Sequence, residues 1–463
     1  MKMALLIANR GFFPSTVIES ARNEMCAAMR KAGIEPVLMP SDWTRYGAVE
    51  TTNEGFRFAE FLDGCRGEYD GLIISLPNFG DENGIKAAIR DLNVPVLLQA
   101  YPDEIGKMDF EHRRDAFCGK LGLTSVLKQM DFKYTAFPPF VVHPETEAFH
   151  EQLVRFKAIC TVVGRMRALR VGAVGARTTA FKSVRCDEMA LEKHGIDVET
   201  LDMTNIFARI RQYDDKSPNV GTWLDKLHGT ADFCNVPEGR DILMAKLGAS
   251  LEDIVSEMRL DALAIRCWSE LQQEFGITPC SVAGILNQAG VPVACEMDIS
   301  NALPMLALSL ASGCSSGCLD WNNNYGDHPD QCVLFHCGPL PLSLMQGPGI
   351  IEDHKMLSKS YGKGCSWGLN VGKMKLGAVT FASMRTENGV LQYYIDKGEI
   401  IDAPIDADFF GTSGVLKVDG LQEKMHNISE AGFRHHVTVT SGDVVAALDE
   451  AFGKYLGYRR VTL

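Results

Sequence analysis

The chain has 463 residues, 46 % of them hydrophobic and 23 % charged, with a formal net charge of −13. That length exceeds one ordinary core and predicts two or three domains, with the apolar and charged balance of a well-buried globular protein. An acidic chain with no basic stripe excludes nucleic acid as a partner, and no segment reaches the roughly 18 uninterrupted apolar residues of a membrane span.

The N-terminal segment MKMALLIANRGFFP lacks a small-residue cleavage site and runs straight into an amphipathic pattern, so it reads as a first strand and not as a signal peptide. The first third then alternates apolar strands with amphipathic helices: MALLIAN, a helix from about Ser15, EPVLMP, a helix near Glu54 to Cys65, YDGLIISLP, a helix after Asp81, and VPVLLQA. Such alternation predicts a parallel, doubly wound sheet whose ligand-facing edge is formed by the carboxyl ends of its strands. Those ends carry Asn9 and Arg10, the loop from Asn78 to Glu82, and Gln99. Polar loop residues at such an edge are candidate ligand contacts.

A helical stretch from about Glu145 to Arg167 leads into a second series that opens with LRVGAVGARTTAF. Gly172 and Gly175 follow a strand and precede a helix in this reading. The spacing is G-x-x-G and not G-x-G-x-x-G, which weighs against a dinucleotide and a nicotinamide-dependent dehydrogenase. A tight turn presenting Arg177 and Lys182 to a polar ligand is the other reading. The series continues through VETLD, LMAKLGASLEDIVSEMRL, DALAIRC and VPVACE as another α/β layer. Past about residue 340 glycine and proline become frequent, and MKLGAVTFASMRTENGVLQYYIDKGEII predicts a hairpin with Asn388 and Gly389 at its turn. The expected architecture is two doubly wound, Rossmann-like α/β domains, 1–160 and 161–312. A mainly β, barrel-like C-terminal domain, 313–463, follows, with a terminal helix from GDVVAALDEAFGKYLG packed back on it.

The cysteines are scattered singly through apolar segments, as buried reduced thiols are, which predicts a reducing cytoplasm. Cys314, Cys318, Cys332 and Cys337 cluster near His336, but C-x3-C and C-x4-C do not repeat the paired C-x2-C knuckle of structural zinc.

Two acidic residues stand out. Glu296 closes the apolar run VPVACE, and Asp320 closes SGCLD after the small-residue helix ISNALPMLALSLASG, so both are expected at or just beyond strand ends. Desolvating a lone carboxylate costs several kcal/mol unless it is paired, hydrogen-bonded or bound to a metal. His336 ends a third apolar run, QCVLFH, and His435 and His436 open a fourth, so the set predicts convergence on one hard cation. Glutamate, aspartate and neutral histidine suit manganese, magnesium, cobalt or iron(II). A metal on a carbonyl and an adjacent hydroxyl acidifies the proton on the intervening carbon, which a nearby carboxylate can move. Plainer roles exist for each residue alone: Glu296 as a cap for a helix starting near Ser300, Asp320 as a turn acid before WNNNYGD, the histidines as satisfied core groups. In GFRHHVTVTSGD one of the two histidines points inward and the other outward, and alternation does not say which.

With these residues in place, the chain resembles the L-fucose isomerase and L-arabinose isomerase superfamily of metal-dependent aldose-ketose isomerases. The resemblance runs through PNFGDE, VGAVGARTTAF, ACEMD, CLDW, HCG and the terminal HHV. Fucose isomerases carry Thr-Glu-Asn where this chain has Cys295, Glu296 and Met297, and they place an aspartate at the separation that Asp320 has here. The resemblance implies a manganese ion, with magnesium or cobalt as alternatives, held by Glu296, Asp320 and His436. It also implies that Glu296 and Asp320 shuttle a proton between C1 and C2 of an open-chain sugar through a cis-enediol. His336 is implied as a further ligand or substrate contact, and a homotrimer or homohexamer as the assembly, in which one N-terminal domain completes a neighbour's pocket. Arg10, Asn78, Gln99, Arg177, Trp321, Asn322, His336 and His435 are the expected substrate contacts. Met297, and Trp321 to Asn324 after Asp320, depart from the fucose pattern. The substrate is therefore either an L-fucose-like or other hexose or deoxy sugar, or an anionic sugar such as a sulfonated hexose, because guanidinium groups recognise oxyanions bidentately. A sugar-binding protein without chemistry is the contrasting expectation.

Overall fold

The apolar run at the N-terminus forms strand β1 (Lys2–Ile7), every residue of which after Lys2 is buried. It belongs to a computed structural model that describes residues 1–406 and 408–463 and divides into two units, Met1–Gly164 and Arg165–Leu463. In the first unit β1 joins β2 (Glu35–Val37), β3 (Gly71–Leu76) and β4 (Val96–Ala100) in a parallel sheet of order β2-β1-β3-β4. Helices Val17–Lys31, Thr52–Gly64, Glu82–Ala88, Ala116–Gln129 and Glu147–Met166 alternate with or follow the strands. Their starts are written in the sequence: Thr51 and Glu54 form a reciprocal capping box, and Asp81 accepts from the Gly84 N–H. Leu6, Ile74 and Leu98 on the sheet pack with Phe58 and Leu123 on the helices.

The second unit holds two sheets. The first is again parallel, with β5 (Leu169–Val174), β6 (Ile196–Leu201), β8 (Ala262–Ile265) and β9 (Val293–Cys295) in the order β6-β5-β8-β9. Gly172 lies inside β5. A loop and a short 3-10 turn (Lys182–Val184) follow Gly175 where a helix was expected, which removes the geometry a dinucleotide phosphate would need.

The other sheet is mixed and has ten strands. Its order is β18 (Arg459–Arg460), β15 (Val390–Ile401), β14 (Gly377–Glu387), β17 (His436–Ser441), β10 (Ser316–Asn324), β11 (Gln331–His336), β16 (Thr412–Lys417), β13 (Trp367–Lys373), β12 (Gly349–Asp353) and β7 (Ala231–Asp232). A further pairing of β15 with β16 makes six of these strands return on themselves. Asn388 and Gly389 turn β14 into β15 with φ of 51° and 75°, the left-handed angles of a tight hairpin. The helix Ile299–Ser312, buried from Ile299 to Leu308, packs on β14 and β17. At the C-terminus, helix Val445–Asp449 continues as a π-helical turn to Tyr455 and buries Leu448 and Phe452. Among the described residues no helix is long and apolar enough to cross a membrane, and all fourteen cysteines are free thiols.

Candidate metal centre

β9 stops at Cys295 because the next two residues, Glu296 and Met297, take left-handed angles (φ 61° and 65°). Non-glycine residues rarely do so, at a cost of about 1–3 kcal/mol each, and such strain clusters at functional sites. Asp298 then caps the helix Ile299–Ser312, accepting from the Asn301 N–H at 3.2 Å. The cap is therefore Asp298 and not Glu296, which leaves Glu296 free to face the second sheet.

Asp320 is not at a strand end. β10 runs on to Asn324, because Trp321, Asn323 and Asn324 continue the ladder to β11, with a bulge between Trp321 and Asn323. Across β10 and β17 Asp320 stands directly opposite His436, so the two side chains share one face. His336 closes β11, followed by Gly338, whose φ of 105° and close approach to Asn370 (2.5 Å from a Cβ built there to its backbone nitrogen) leave no room for a side chain.

These elements bring the expected ligands together. His436 Nε2 is 3.0 Å from Glu296 Oε2 and 3.6 Å from Asp320 Oδ1, and His435 Nε2 is 3.8 Å from the same Asp320 oxygen. Donor atoms of Glu296, His336 and His436, and of Asp320, His435 and His436, form two sets, each lying within 4.8 Å. Asp320 Oδ1 and His336 Nε2 are buried with no hydrogen-bond partner. An orphaned carboxylate oxygen 3.6 Å from an imidazole nitrogen that a second carboxylate also approaches is what a hard cation would satisfy, so the residues present fit a divalent metal ion.

The two inward histidines differ in tautomer. His436 Nδ1 lies 2.8 Å from Asp298 Oδ2, which makes it a donor; Nε2–H of the charged ring donates to Glu296 Oε2 at 3.0 Å, and loss of that proton turns the Nε2 lone pair toward the carboxylates. His336 Nδ1 accepts the Cys337 N–H at 2.8 Å, so in the neutral ring Nε2 carries the proton. With both rings neutral, His336 thus presents a donor to the site and His436 a lone pair. His436 is fully buried while His435 is half-exposed, which answers the inward-outward question.

Charge tells the same story. Burial opposes ionisation of Glu296, yet its hydrogen bond to His436 and the nearby His336 hold its carboxyl below the ordinary value. Burial likewise opposes a charge on His436, but the carboxylates of Asp298 and Glu296 prevail and raise it to about 10. The carboxylates thus favour positive charge at this place, which the proton on His436 supplies.

The site opens into a cavity of about 400 Å³ with a polar side (Glu296, Asp320, Asn322, His336, His435) and an apolar side (Phe181, Trp268, Phe335, Met356, Leu357). Trp268 Nε1 donates to Glu296 Oε1 at 3.3 Å, and its ring packs edge-on against Phe181. His354, whose Nε2 lies 3.1 Å from Cys337 Sγ, is pushed down to about 4 by burial and stands neutral in the wall.

Within the second unit, Trp321 and Arg177 are engaged away from the cavity. Trp321 is turned by strand alternation to the opposite face, where its N–H meets the Tyr394 hydroxyl at 3.0 Å and its ring packs on Phe381. The Arg177 guanidinium donates to the carbonyls of Thr178, Thr179 and Phe181, so it shapes the loop that carries Phe181. In the first unit, Asn78 donates to Asn9 Oδ1 at 2.6 Å and accepts from the Arg10 N–H. Gln99 bridges the Ser75 hydroxyl and the Val142 carbonyl. Arg10 lies over the Phe79 ring, 4.2 Å from its centre. The sequence reading missed Phe181, Trp268, Asp298 and Arg434; of these, Asp298 was signalled by its place just ahead of an apolar helix.

Comparison with known proteins places two stretches. Residues 4–167 match the fucose/sulfoquinovose isomerase N-terminal domain, and residues 334–462 match the L-fucose isomerase C-terminal domain. The chain is 25 % identical over 406 residues to a sulfoquinovose isomerase of Alkalicoccus urumqiensis, covering 84 % of this chain and 85 % of that one. It is 22 % identical over 403 residues to a sulfoquinovose isomerase of Priestia megaterium, again covering 84 % and 85 %. Over 312 residues it is 24 % identical to a sulfoquinovose isomerase of Clostridium sp. (strain MSTE9), covering 65 % and 66 %.

Proposed function

The chain belongs to the fucose isomerase-like superfamily and is an aldose-ketose isomerase, and from that premise we propose that it acts on a sulfonated hexose of the sulfoquinovose type, at a divalent cation held by Glu296, Asp320 and His436. The observation that carries the reading is that Glu296 and Asp320, both lining a cavity large enough for a monosaccharide, approach the buried His436 Nε2 at 3.0 and 3.6 Å, the Asp320 oxygen having no hydrogen-bond partner. A divalent cation held by these residues would supply polarisation of the carbonyl and neighbouring hydroxyl of an open-chain sugar, which would acidify the proton between them. Manganese is the proposed ion, with magnesium and cobalt as alternatives, since the donors are hard oxygen and imidazole nitrogen.

The protein's own groups divide the remaining work. Glu296 and Asp320 move the proton between C1 and C2 through a cis-enediol. His336 donates its Nε2–H to a sugar oxygen, and Asn322 contributes a polar contact beside it. Phe181 and Trp268 wall the pocket and keep water from the carbon acid.

A sulfonate needs a cation, and the described residues lining the cavity include no lysine or arginine. We propose Arg10 as that cation, supplied by another copy in a homotrimer or homohexamer. The exposed Phe12, Ile105, Met108 and Phe110 of the first unit support such an association. The apolar wall also favours a second reading, a neutral L-fucose-like deoxy sugar whose methyl group lies against it. We place the enzyme in the cytoplasm, in keeping with its free thiols. Incubation with Mn2+ and a panel of neutral and sulfonated aldoses in deuterated water, following C2 proton exchange by NMR, tests the substrate. Exchange with sulfonated sugars alone supports the first reading, exchange with deoxy sugars alone supports the second, and no exchange with any aldose sinks both.

A further inference from the structure

We propose that Asp298 is a positioning residue that aims His436 at the cation, with Arg434 as its anchor; the assignment rests on the cation site proposed above. The carboxylate is tied at both oxygens. Oδ2 receives the His436 Nδ1–H at 2.8 Å and the Arg434 Nε–H, while Oδ1 receives the Asn301 N–H at 3.2 Å. Arg434 is held in turn by donating Nη1–H to the Met384 carbonyl at 2.7 Å. Asp298 and His436 are fully buried and Arg434 is 7 % exposed, so no water competes for these bonds.

The arrangement has two effects on His436. A donor bond at Nδ1 fixes the tautomer, and with it the direction of the Nε2 lone pair toward Glu296 Oε2 and Asp320 Oδ1. The Arg434 guanidinium offsets the Asp298 charge, so the buried pair is close to neutral and the negative field at the cavity is that of Glu296 and Asp320. Helix capping alone asks only for an Oδ1 acceptor and does not require the second oxygen to reach across to a strand 138 residues away.

The test is Mn2+ binding to the full chain, read from free Mn2+ by electron paramagnetic resonance, together with the visible spectrum of the Co2+-loaded protein. Asp298→Ala is expected to weaken Mn2+ by about 10–100-fold and to shift the Co2+ bands. Asp298→Asn keeps an oxygen for Nδ1–H and is expected to recover most of that affinity while melting earlier, because its amide nitrogen then faces the helix start. Should Asp298→Ala not fold, Asp298→Glu, which displaces the oxygen by one methylene, is expected to weaken Mn2+ and shift the bands as well. Wild-type affinity and spectrum in a folded Asp298→Ala or Asp298→Glu overturn the assignment. A wild-type chain that binds Mn2+ but exchanges no sugar proton sinks the isomerase substrate reading alone, and the Asp298 comparison still decides. A wild-type chain that binds no divalent cation sinks both.

Discussion

Glu296 and His436 lie 140 residues apart in the chain and meet at 3.0 Å through Oε2 and Nε2, each delivered by a different sheet. The contact gives the cation site its first testable consequence. Dialysis against a chelator is expected to abolish isomerisation, and added Mn2+ to restore it; full turnover after metal analysis shows an empty protein would refute the metal requirement.

Glu296→Gln and Asp320→Asn are near-isosteric and remove the proposed proton carrier. Each is expected to lower kcat by about 10²–10⁴-fold, the usual worth of a positioned acid or base, with far-UV circular dichroism unchanged. A variant that turns over at the wild-type rate removes its residue from the proton path.

The three histidines separate by metal content and KM. His436→Ala is expected to empty the site. His435→Ala should keep the ion, since that ring is half-exposed and its nearest carboxylate oxygen stands at 3.8 Å. His336→Ala should keep the ion as well but raise KM, because the Cys337 N–H commits Nδ1 and leaves a donor and no lone pair at Nε2. Loss of metal from His336→Ala would contradict that tautomer.

For pH, the metal-free protein is the informative form. Folding raises His436 from 6.5 to about 10, so its contribution to stability is complete below about 6.5 and drains away as pH climbs through about 10. The melting temperature is expected to fall over that window, with a shallower fall in His436→Gln. Mn2+ replaces the same proton, so binding should tighten with rising pH and release about one proton per ion, measurable by calorimetry in buffers of different ionisation enthalpy.

Neighbouring residues on β10 should behave oppositely. Trp321→Phe breaks the hydrogen bond to Tyr394 and is expected to cost about 1 kcal/mol of stability with KM unchanged. Asn322→Ala is expected to raise KM with stability unchanged. The reverse pattern would mean that the register of β10 differs from the one described.

Much of this was legible in the sequence because local chemistry dictates it. Period-two and period-3.6 patterns gave the first parallel sheet, and Asn388-Gly389 gave the hairpin. Glu296, Asp320, His336 and the two C-terminal histidines were visible as polar ends of apolar runs. What stayed hidden depends on pairing between distant strands. Asp320 reads as a strand end because WNNN is polar, yet pairing with β11 carries β10 past it. Trp321 reads as a sugar contact until alternation turns it onto Tyr394 and Phe381. Arg177 reads as a ligand for an oxyanion, but its own loop carbonyls occupy it. Arg434 carries no local signal, since its partner Asp298 lies 136 residues away.

Glu296, Asp320 and His436, and the Asp298 and Arg434 behind them, all belong to the unit Arg165–Leu463. Mutation in the first unit leaves those five side chains in place. A lineage can exchange, lengthen or recharge that unit generation by generation and still inherit unchanged the side chains proposed to hold the cation.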